Sequence, residues 1–178
     1  MQTARDLFVH ELQDMYDAEQ RLVEALGEQE RESSRPELQK AFASHREQTE
    51  GQVERLREAF DEIGAEPAET ECKGIKGLIE EHEAFKQEEP SEELLDIFNV
   101  GAAIKVESYE INAYESLVKL GRDLNFKKAV NLLNQNLKEE QQTLKKMETF
   151  SNKLKPSELG VEEEVEEARP RRRTRRAA

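Results

Sequence analysis

The sequence is poor in the residues that disulfide-rich, turn-rich and membrane-spanning folds require. Its 178 residues include one cysteine, Cys72, so no disulfide can form within the chain, which fits a reducing compartment. Tryptophan is absent, aromatic residues make up 6%, and there are only 8 glycines and 5 prolines. No apolar run is long enough to span a bilayer, and the N-terminus lacks the basic and apolar regions of a signal peptide. We therefore expect a soluble, cytoplasmic protein without membrane contact.

Charge is abundant, and it is divided unevenly along the chain. Charged residues make up 38% of the sequence, and the formal net charge is -13. Residues 1–168 carry 21 basic and 40 acidic residues, whereas the last ten positions hold six arginines between Arg169 and Arg176. The acidic body should repel nucleic acid and anionic membranes. The arginine-rich end could contact DNA phosphates, or it could pair with the acidic stretch "EEEVEE" beside it or on another copy.

Apolar residues recur at helical spacing along four long segments, and Glu, Lys, Leu and Ala favour helices over strands. The segments are predicted to begin at Thr3 (with Asp6 completing a capping box), Ser34, Ser91 and Asn125, and to end near residue 30, Gly64, Gly121 and Lys155. A shorter amphipathic segment, marked by Ile75, Ile79 and His82, lies in the long link between the second and third. This order predicts an all-α four-helix bundle made of two antiparallel hairpins joined by a crossover that contains a short helix.

The predicted domain boundary lies at the end of the fourth helix. Residues 1–155 form the bundle, and Pro156 ends its last helix. Residues 156–178 contain an acidic block followed by a basic one, with almost nothing to bury. We expect this tail to be disordered.

Several carboxylates lie on the helix faces that should point into the core. On the third helix, Glu107 and Glu110 straddle the direction set by Ala103, Val106 and Leu117. The same projection turns further residues inward on the other helices, namely Glu19 on the first, His45 on the second and Glu140 on the fourth. Glu19, Glu107 and Glu140 each lie near the midpoint of their helix, so these three side chains should meet at one level of the bundle.

A buried carboxylate is costly unless a cation or a proton neutralises it. The inner faces carry no lysine, and Arg46, at the edge of the second helix, is the nearest arginine expected. A bound metal is therefore the most economical counter-charge, although glutamates placed there by chance, protonated or partly solvated, would explain the pattern too. Carboxylate ligands suit iron, manganese or magnesium, and the four glutamates could hold two ions.

His45 and two tyrosines could have either a structural or a functional role. His45 would be either a metal ligand or a hydrogen-bonded core histidine. Tyr16 and Tyr114 would either donate hydrogen bonds to the ligands or simply pack in the core.

The sequence resembles a known family, the ferritin-like stress proteins of the YciE/YciF type, within the ferritin and rubrerythrin superfamily. The resemblance covers residues 4–154 and rests on "LFVHELQDMYDAEQRLVEAL", "HREQTEGQVERL", "ECKGIKGLIEE", "KVESYEINAYESL" and "NLKEEQQTL". It implies a helical bundle with a carboxylate-rich metal centre, a homodimer and a role in bacterial stress responses. The wider di-iron pattern has a glutamate on each of two helices and a Glu-x-x-His motif on each of the other two. Here Phe42 replaces the glutamate before His45, Thr143 replaces the histidine after Glu140, and Glu110 adds a carboxylate.

Two functional hypotheses follow. The first is a ferritin-like protein with a dinuclear site, with iron as the expected metal and manganese as a second choice, held by Glu19, His45, Glu107, Glu110 and Glu140. It would act in stress protection by reacting with oxygen or peroxide, as a di-iron oxidase or peroxidase does. The departures at Phe42 and Thr143 bear on this activity more than on metal binding itself. The second is a non-catalytic bundle with a vestigial metal site that binds a partner.

Overall fold

The structure is a computed structural model and describes residues 1–154 of the chain. Within those residues it consists of helices and their connections, and it contains no strand. The helices are α1 (Ala4–Glu32), α2 (Pro36–Ile63), α3 (Lys73–Lys86), α4 (Glu92–Asp123) and α5 (Lys127–Lys153). The four long helices and the short helix in the crossover confirm the predicted all-α, ferritin-like architecture.

Contacts between helix ends show that neighbouring long helices run antiparallel. In the first hairpin, Arg5 of α1 donates a hydrogen bond to the backbone carbonyl of Ile63 at 2.9 Å, while Glu30 pairs with Arg46 at 3.1 Å near the other end. The second hairpin, α4 with α5, packs against the first. Helix α3 lies along α1 and α4. The crossover therefore covers the outside of the bundle on one side.

The helix starts agree with the sequence in two cases and differ in two, one of them the last helix, which begins at Lys127 rather than at Asn125. Thr3 and Asp6 form the predicted capping box of α1, and the Ser91 side chain caps α4. The prediction that Ser34 begins the second helix is wrong by one residue, because Arg35 is the N-cap of α2. Ser34 instead donates hydrogen bonds from its hydroxyl and its backbone N–H to buried Asp96 of α4, at 2.7 and 2.9 Å. The turn of the first hairpin is thus tied to the second hairpin.

The end of α4 also differs from the prediction. Gly121 does not end the helix, which continues to Asp123 and is followed by Asn125 in a left-handed conformation with φ of 61°. A Cβ atom on Gly121 would lie 2.8 Å from Val130 and 3.0 Å from Phe8. The glycine is therefore needed for close packing of α4 against α1 and α5 rather than for helix termination.

The core has two apolar clusters, one toward each end of the bundle. One cluster includes Phe8, Leu12, Phe60, Leu117 and Leu133, and the other includes Leu22, Leu26, Phe42, Val100 and Met147. Along each long helix, the residues between the two clusters include buried polar or charged side chains. The bundle therefore has a polar layer near its middle, which is where the sequence places the inward glutamates.

None of the helices in residues 1–154 is long and apolar enough to cross a membrane. The predicted tail, residues 156–178, with its disorder and its DNA contact through Arg169–Arg176, lies outside the described residues. So does Lys155, the predicted last residue of the bundle.

Candidate metal centre

Four carboxylates and one imidazole occupy the polar layer. Glu19, Glu107 and Glu140 are fully buried at 0% exposure, Glu110 is 1% exposed and His45 is 5% exposed. We call the four glutamates the carboxylate cluster. Each of the five lies on the inner face of its helix because the apolar residues of that face turn toward the same axis. The structure therefore places all five predicted residues inside the bundle.

Three of the five form a compact group. Single ligand atoms of His45, Glu107 and Glu140 all lie within 4.8 Å of one another. The Nε2 atom of His45 is 3.2 Å from one oxygen of Glu107 and 4.0 Å from one oxygen of Glu140. Nitrogen and carboxylate oxygen atoms at this spacing could hold a metal ion, and they suit iron or manganese.

Glu19 and Glu110 lie beside this group rather than within it. The two side chains are near enough to the other carboxylates that the negative charges act on one another, as the pKa values described below show. The structure thus brings together His45, Glu107 and Glu140 and sets Glu19 and Glu110 next to them. The carboxylate oxygens of Glu19 and Glu110 could bind a second ion.

Burial is the main influence on the ionisation of these groups. It raises the pKa of Glu19, Glu107 and Glu110 well above the usual range, and neighbouring carboxylates raise it further. Burial also raises the pKa of Glu140 to about 7. Without a cation, the cluster therefore favours protonated carboxyl groups, and a cation would displace those protons.

His45 is neutral near pH 7. Burial, followed by the charge of Lys146, lowers its pKa to about 4. A neutral imidazole is the form that binds a metal. His45 therefore cannot serve as the positive partner of Glu107 near neutral pH, although their side chains are close.

One side of the cluster is held by a network of hydrogen bonds. Tyr114 donates to Glu19, and Gln52 donates to Glu140. The side-chain amide of Asn136 donates to the Tyr114 hydroxyl at 2.9 Å, and Arg55 donates to the Asn136 carbonyl. These donors fix the orientation of two of the four carboxylates.

No amide, hydroxyl or guanidinium group among the described residues donates a hydrogen bond to six further ligand atoms of the layer. They are Oε2 of Glu19, Nδ1 of His45, both oxygens of Glu107, Oε1 of Glu110 and Oε2 of Glu140. Buried polar atoms are normally paired, and an unpaired one costs about 1–3 kcal/mol. A group of six at one level, all of types that bind metals, fits a divalent cation that would satisfy several of them together.

Of the two alternatives for Tyr16, packing is the one that the structure supports. Its ring lies against Phe60, and its hydroxyl accepts a hydrogen bond from Arg57 at 2.6 Å instead of reaching the cluster. Arg46 is not the relevant arginine, since it pairs with Glu30. The charge of Arg55 acts on Glu19 and Glu140 instead, while its guanidinium pairs with Glu139.

Gln52, Asn136 and Arg55 were not recognised from the sequence. Gln52 and Asn136 are fully buried, and each occupies an apolar-face position, three residues after Thr49 and Leu133 respectively. A polar residue on the apolar face of a helix is the feature of the sequence that could have identified Gln52 and Asn136. Arg55 gave no comparable signal, because arginine at the edge of a helix face is usual on protein surfaces.

Known proteins resemble this chain over most of its length. YciF from Escherichia coli K12 is 38% identical over 144 residues, which cover 80% of this chain and 87% of that protein. The crystal structure of YciF, an E. coli stress protein, superposes with a TM-score of 0.82 over 91% of this chain and 100% of that one, at 33% identity over this longer match. YcfI from Rhodopseudomonas palustris, for which a structural role has been suggested, superposes with a TM-score of 0.81 at 35% identity, over 84% of this chain and 95% of that one.

The family described as "Domain of unknown function (DUF892)" matches residues 3–159, which is most of the chain. The family match, the YciF sequence and the two superpositions agree with the resemblance found in the sequence. The chain therefore belongs to the DUF892 family and is of the YciF type.

Proposed function

We propose that the protein is a ferritin-like metal-binding protein that acts in stress protection, with a dinuclear iron site that reacts with oxygen or peroxide. The observation that carries the proposal is the group of six unpaired, buried ligand atoms in one layer. Among residues 1–154, no lysine or arginine nitrogen lies within 4.0 Å of any oxygen of the carboxylate cluster. A divalent cation would supply the missing positive charge.

The residues divide into ligands and supports. His45, Glu107 and Glu140 would hold one ion, and Glu19 and Glu110 would complete the position beside it. Bound Fe(II) would supply electrons to the oxidant, and Mn(II) suits the same ligands. Tyr114 and Gln52 hold the carboxylates in place, and the two apolar clusters exclude bulk water from the layer.

The ligand set differs from the wider di-iron pattern in a way that the structure explains. Phe42 is fully buried in one of the apolar clusters, and Thr143 accepts a hydrogen bond from Gln48 at 3.2 Å. Neither side chain supplies a carboxylate or an imidazole, so the site has a single histidine. The geometry of the layer supports metal binding directly.

A second candidate is a structural or interaction protein whose carboxylate cluster holds no metal. The structural role suggested for the similar YcfI supports it. In that case the buried carboxyl groups would stay protonated. Metal content distinguishes the two candidates.

The test is elemental analysis of the protein after incubation with Fe(II) or Mn(II) and removal of unbound metal. We expect stoichiometric metal in the wild type and its loss in the double variant Glu107→Gln, Glu140→Gln. The control is Glu115→Gln, Glu148→Gln, which changes two exposed glutamates of the same helices. A wild type without bound metal, or a Glu107/Glu140 variant that retains it, would contradict the proposal.

Thermal unfolding provides a second measurement on the same three proteins. A ligand that binds only the folded state at about 100 times its Kd stabilises that state by about 2.7 kcal/mol. Metal should therefore raise the Tm of the wild type and of the control, but not that of the Glu107/Glu140 variant.

Homodimer formation and DNA contact through Arg169–Arg176 stay predictions. The mass of the protein in solution tests the first, and salt-dependent DNA retention with and without residues 157–178 tests the second.

A further inference from the structure

A narrow cavity leads from the surface of the bundle to the polar layer. It lies between α1, α3 and α4 and has a volume of about 30 Å³. Its lining includes Glu28 and Glu83 at the surface and His45 and Glu107 at the inner end. We call it the side cavity. It runs from solvent to His45 and Glu107, neither of which belongs to the hydrogen-bond network of Tyr114, Gln52 and Asn136.

The members of the polar layer differ in their partners. The Tyr114 hydroxyl of α4 donates a hydrogen bond to Glu19 of α1, and Gln52 of α2 donates one to Glu140 of α5. At the side cavity, Nδ1 of His45 and both oxygens of Glu107 have no hydrogen-bond partner. These are buried polar groups of a cavity wall, so a molecule that enters the cavity would arrive at them.

The walls between the two ends of the cavity are mainly apolar. The apolar lining consists of Leu22, Leu26, Leu78, Ile79, Ala103 and Val106, and the polar residues Gln29 and His82 also line the cavity. Water needs two to four polar partners to occupy a cavity favourably; the apolar residues offer none, and the Nε2 atom of His82 already lies against Glu32 and Asn99. Hydrogen peroxide would lose hydrogen bonds there for the same reason. A cavity of this volume admits a molecule the size of water or dioxygen, but not a larger organic substrate.

We propose that the side cavity is the route by which dioxygen reaches the His45–Glu107 edge of the carboxylate cluster. The proposal rests on the proposed function and specifies its oxidant, because an apolar passage of this size favours dioxygen, which forms no strong hydrogen bonds, over hydrogen peroxide, which would lose its hydrogen bonds to water. Ala102 of α4 lines the passage and is only partly buried. A larger side chain there would narrow it.

The first test uses metal-free protein, so that it does not depend on the proposed metal. Dissolved dioxygen is paramagnetic and shifts the NMR signals of methyl groups that it approaches. In methyl-labelled protein under oxygen pressure, we expect larger shifts for Leu22, Leu78 and Val106 than for Leu133, which is fully buried in the other apolar cluster. Equal shifts, or direct evidence of ordered water along the walls, would overturn the proposal.

The second test compares two alanine substitutions on the same helix. Ala102→Leu should remove the excess methyl shifts and slow the absorbance change that follows mixing of iron-loaded protein with dioxygen, without changing the amount of bound iron. Ala113→Leu is the control, because Ala113 is also a partly buried residue of α4 but does not line the cavity. Ala25→Leu narrows the passage from α1 and replaces Ala102→Leu if that variant does not fold. Unchanged shifts and rates in a folded cavity variant would overturn the proposal.

Failure of this proposal and failure of the proposed function give different results. Bound iron without excess methyl shifts would reject the side cavity as the oxygen route and leave the metal site in place. Excess methyl shifts in a protein that binds no metal would support oxygen entry and reject the proposed function.

Discussion

The hydroxyl of Tyr114 in α4 donates a hydrogen bond to Glu19 in α1, while its oxygen accepts one from Asn136 in α5 at 2.9 Å. A tyrosine hydroxyl has one proton to donate, so the bond from Asn136 commits that proton to Glu19. The carbonyl oxygen of the Asn136 side chain accepts from Arg55, which fixes the amide in turn. One fully buried tyrosine thereby links three helices at the level of the carboxylate cluster.

Removal of this hydroxyl should destabilise the protein. Tyr114→Phe leaves a buried oxygen of Glu19 without its donor, and we expect the free energy of unfolding to fall by about 1–3 kcal/mol. Tyr16→Phe is the control, because the Tyr16 hydroxyl is bonded to Arg57 at the exposed surface, and its loss should cost less than about 1 kcal/mol. Urea unfolding of the metal-free proteins measures both. Equal losses would show that the buried hydroxyl does not stabilise the layer.

The contact between His82 and Glu32 should make stability depend on pH. Nε2 of His82 lies 2.9 Å from Glu32 and 2.7 Å from the side-chain oxygen of Asn99. Burial opposes a charged imidazole, but the bonds to Glu32 and Asn99 outweigh it and raise the pKa of His82 above 6.5. Burial likewise opposes a charged carboxylate, yet His82 and Lys86 lower the pKa of Glu32 below 4.5. Folding thus favours protonated His82 and ionised Glu32.

The direction of the effect follows from these shifts. The stabilisation due to His82 is complete below pH 6.5 and is lost as the pH rises through its raised pKa. That due to Glu32 is complete above pH 4.5 and is lost as the pH falls through its lowered pKa. The unfolding free energy of the wild type should therefore exceed that of His82→Gln most strongly between pH 4.5 and 6.5, and the excess should shrink above that range.

Urea unfolding over a pH series measures this difference. The carboxylate cluster titrates in both proteins, so its contribution cancels in the comparison. His10→Gln, which removes an exposed histidine of α1, controls for the substitution itself. A difference between wild type and His82→Gln that stays constant across the series would refute the stabilising charge pair.

Two glycines of α4 should respond oppositely to the same substitution. Gly121→Ala places a methyl group against Val130 and Phe8, and we expect a loss of about 1–3 kcal/mol in unfolding free energy from overpacking. Gly101→Ala meets no atom within 4 Å and should stabilise the helix by about 0.5–1 kcal/mol. Thermal unfolding of both variants checks the signs. Stabilisation by Gly121→Ala would show that the helices can separate there at little cost.

The sequence predicts the helices and the faces that they bury because both depend on local periodicity. Glu107 and Glu140 could be assigned to the core from the apolar residues three and four positions away, without knowledge of any other helix. The same holds for the capping box of Thr3 and Asp6, whose partners are close in the chain. These features are properties of single helices.

Features that depend on two helices at once could not be predicted in this way. The rotation and the axial shift of α2 relative to α4 and α5 determine which carboxylate oxygens approach His45. The hydrophobic periodicity of a single helix specifies neither the rotation nor the shift. Ser34 illustrates the limit, because its sequence context favours a helix cap, yet Asp96 of another helix takes its hydroxyl. The role of Arg55 depends in the same way on Asn136 across the bundle.

The division of the polar layer between the two hairpins bears on when the protein can acquire a cation during its synthesis. Glu19 and His45 belong to the first hairpin, whereas Glu107, Glu110 and Glu140 belong to the second. A ribosome that has released only the first hairpin has produced one carboxylate and one imidazole of the five. Any ion bound by the compact group would therefore have to arrive after α5 has emerged and the two hairpins have docked, so metal loading would be a late step in the maturation of the nascent chain.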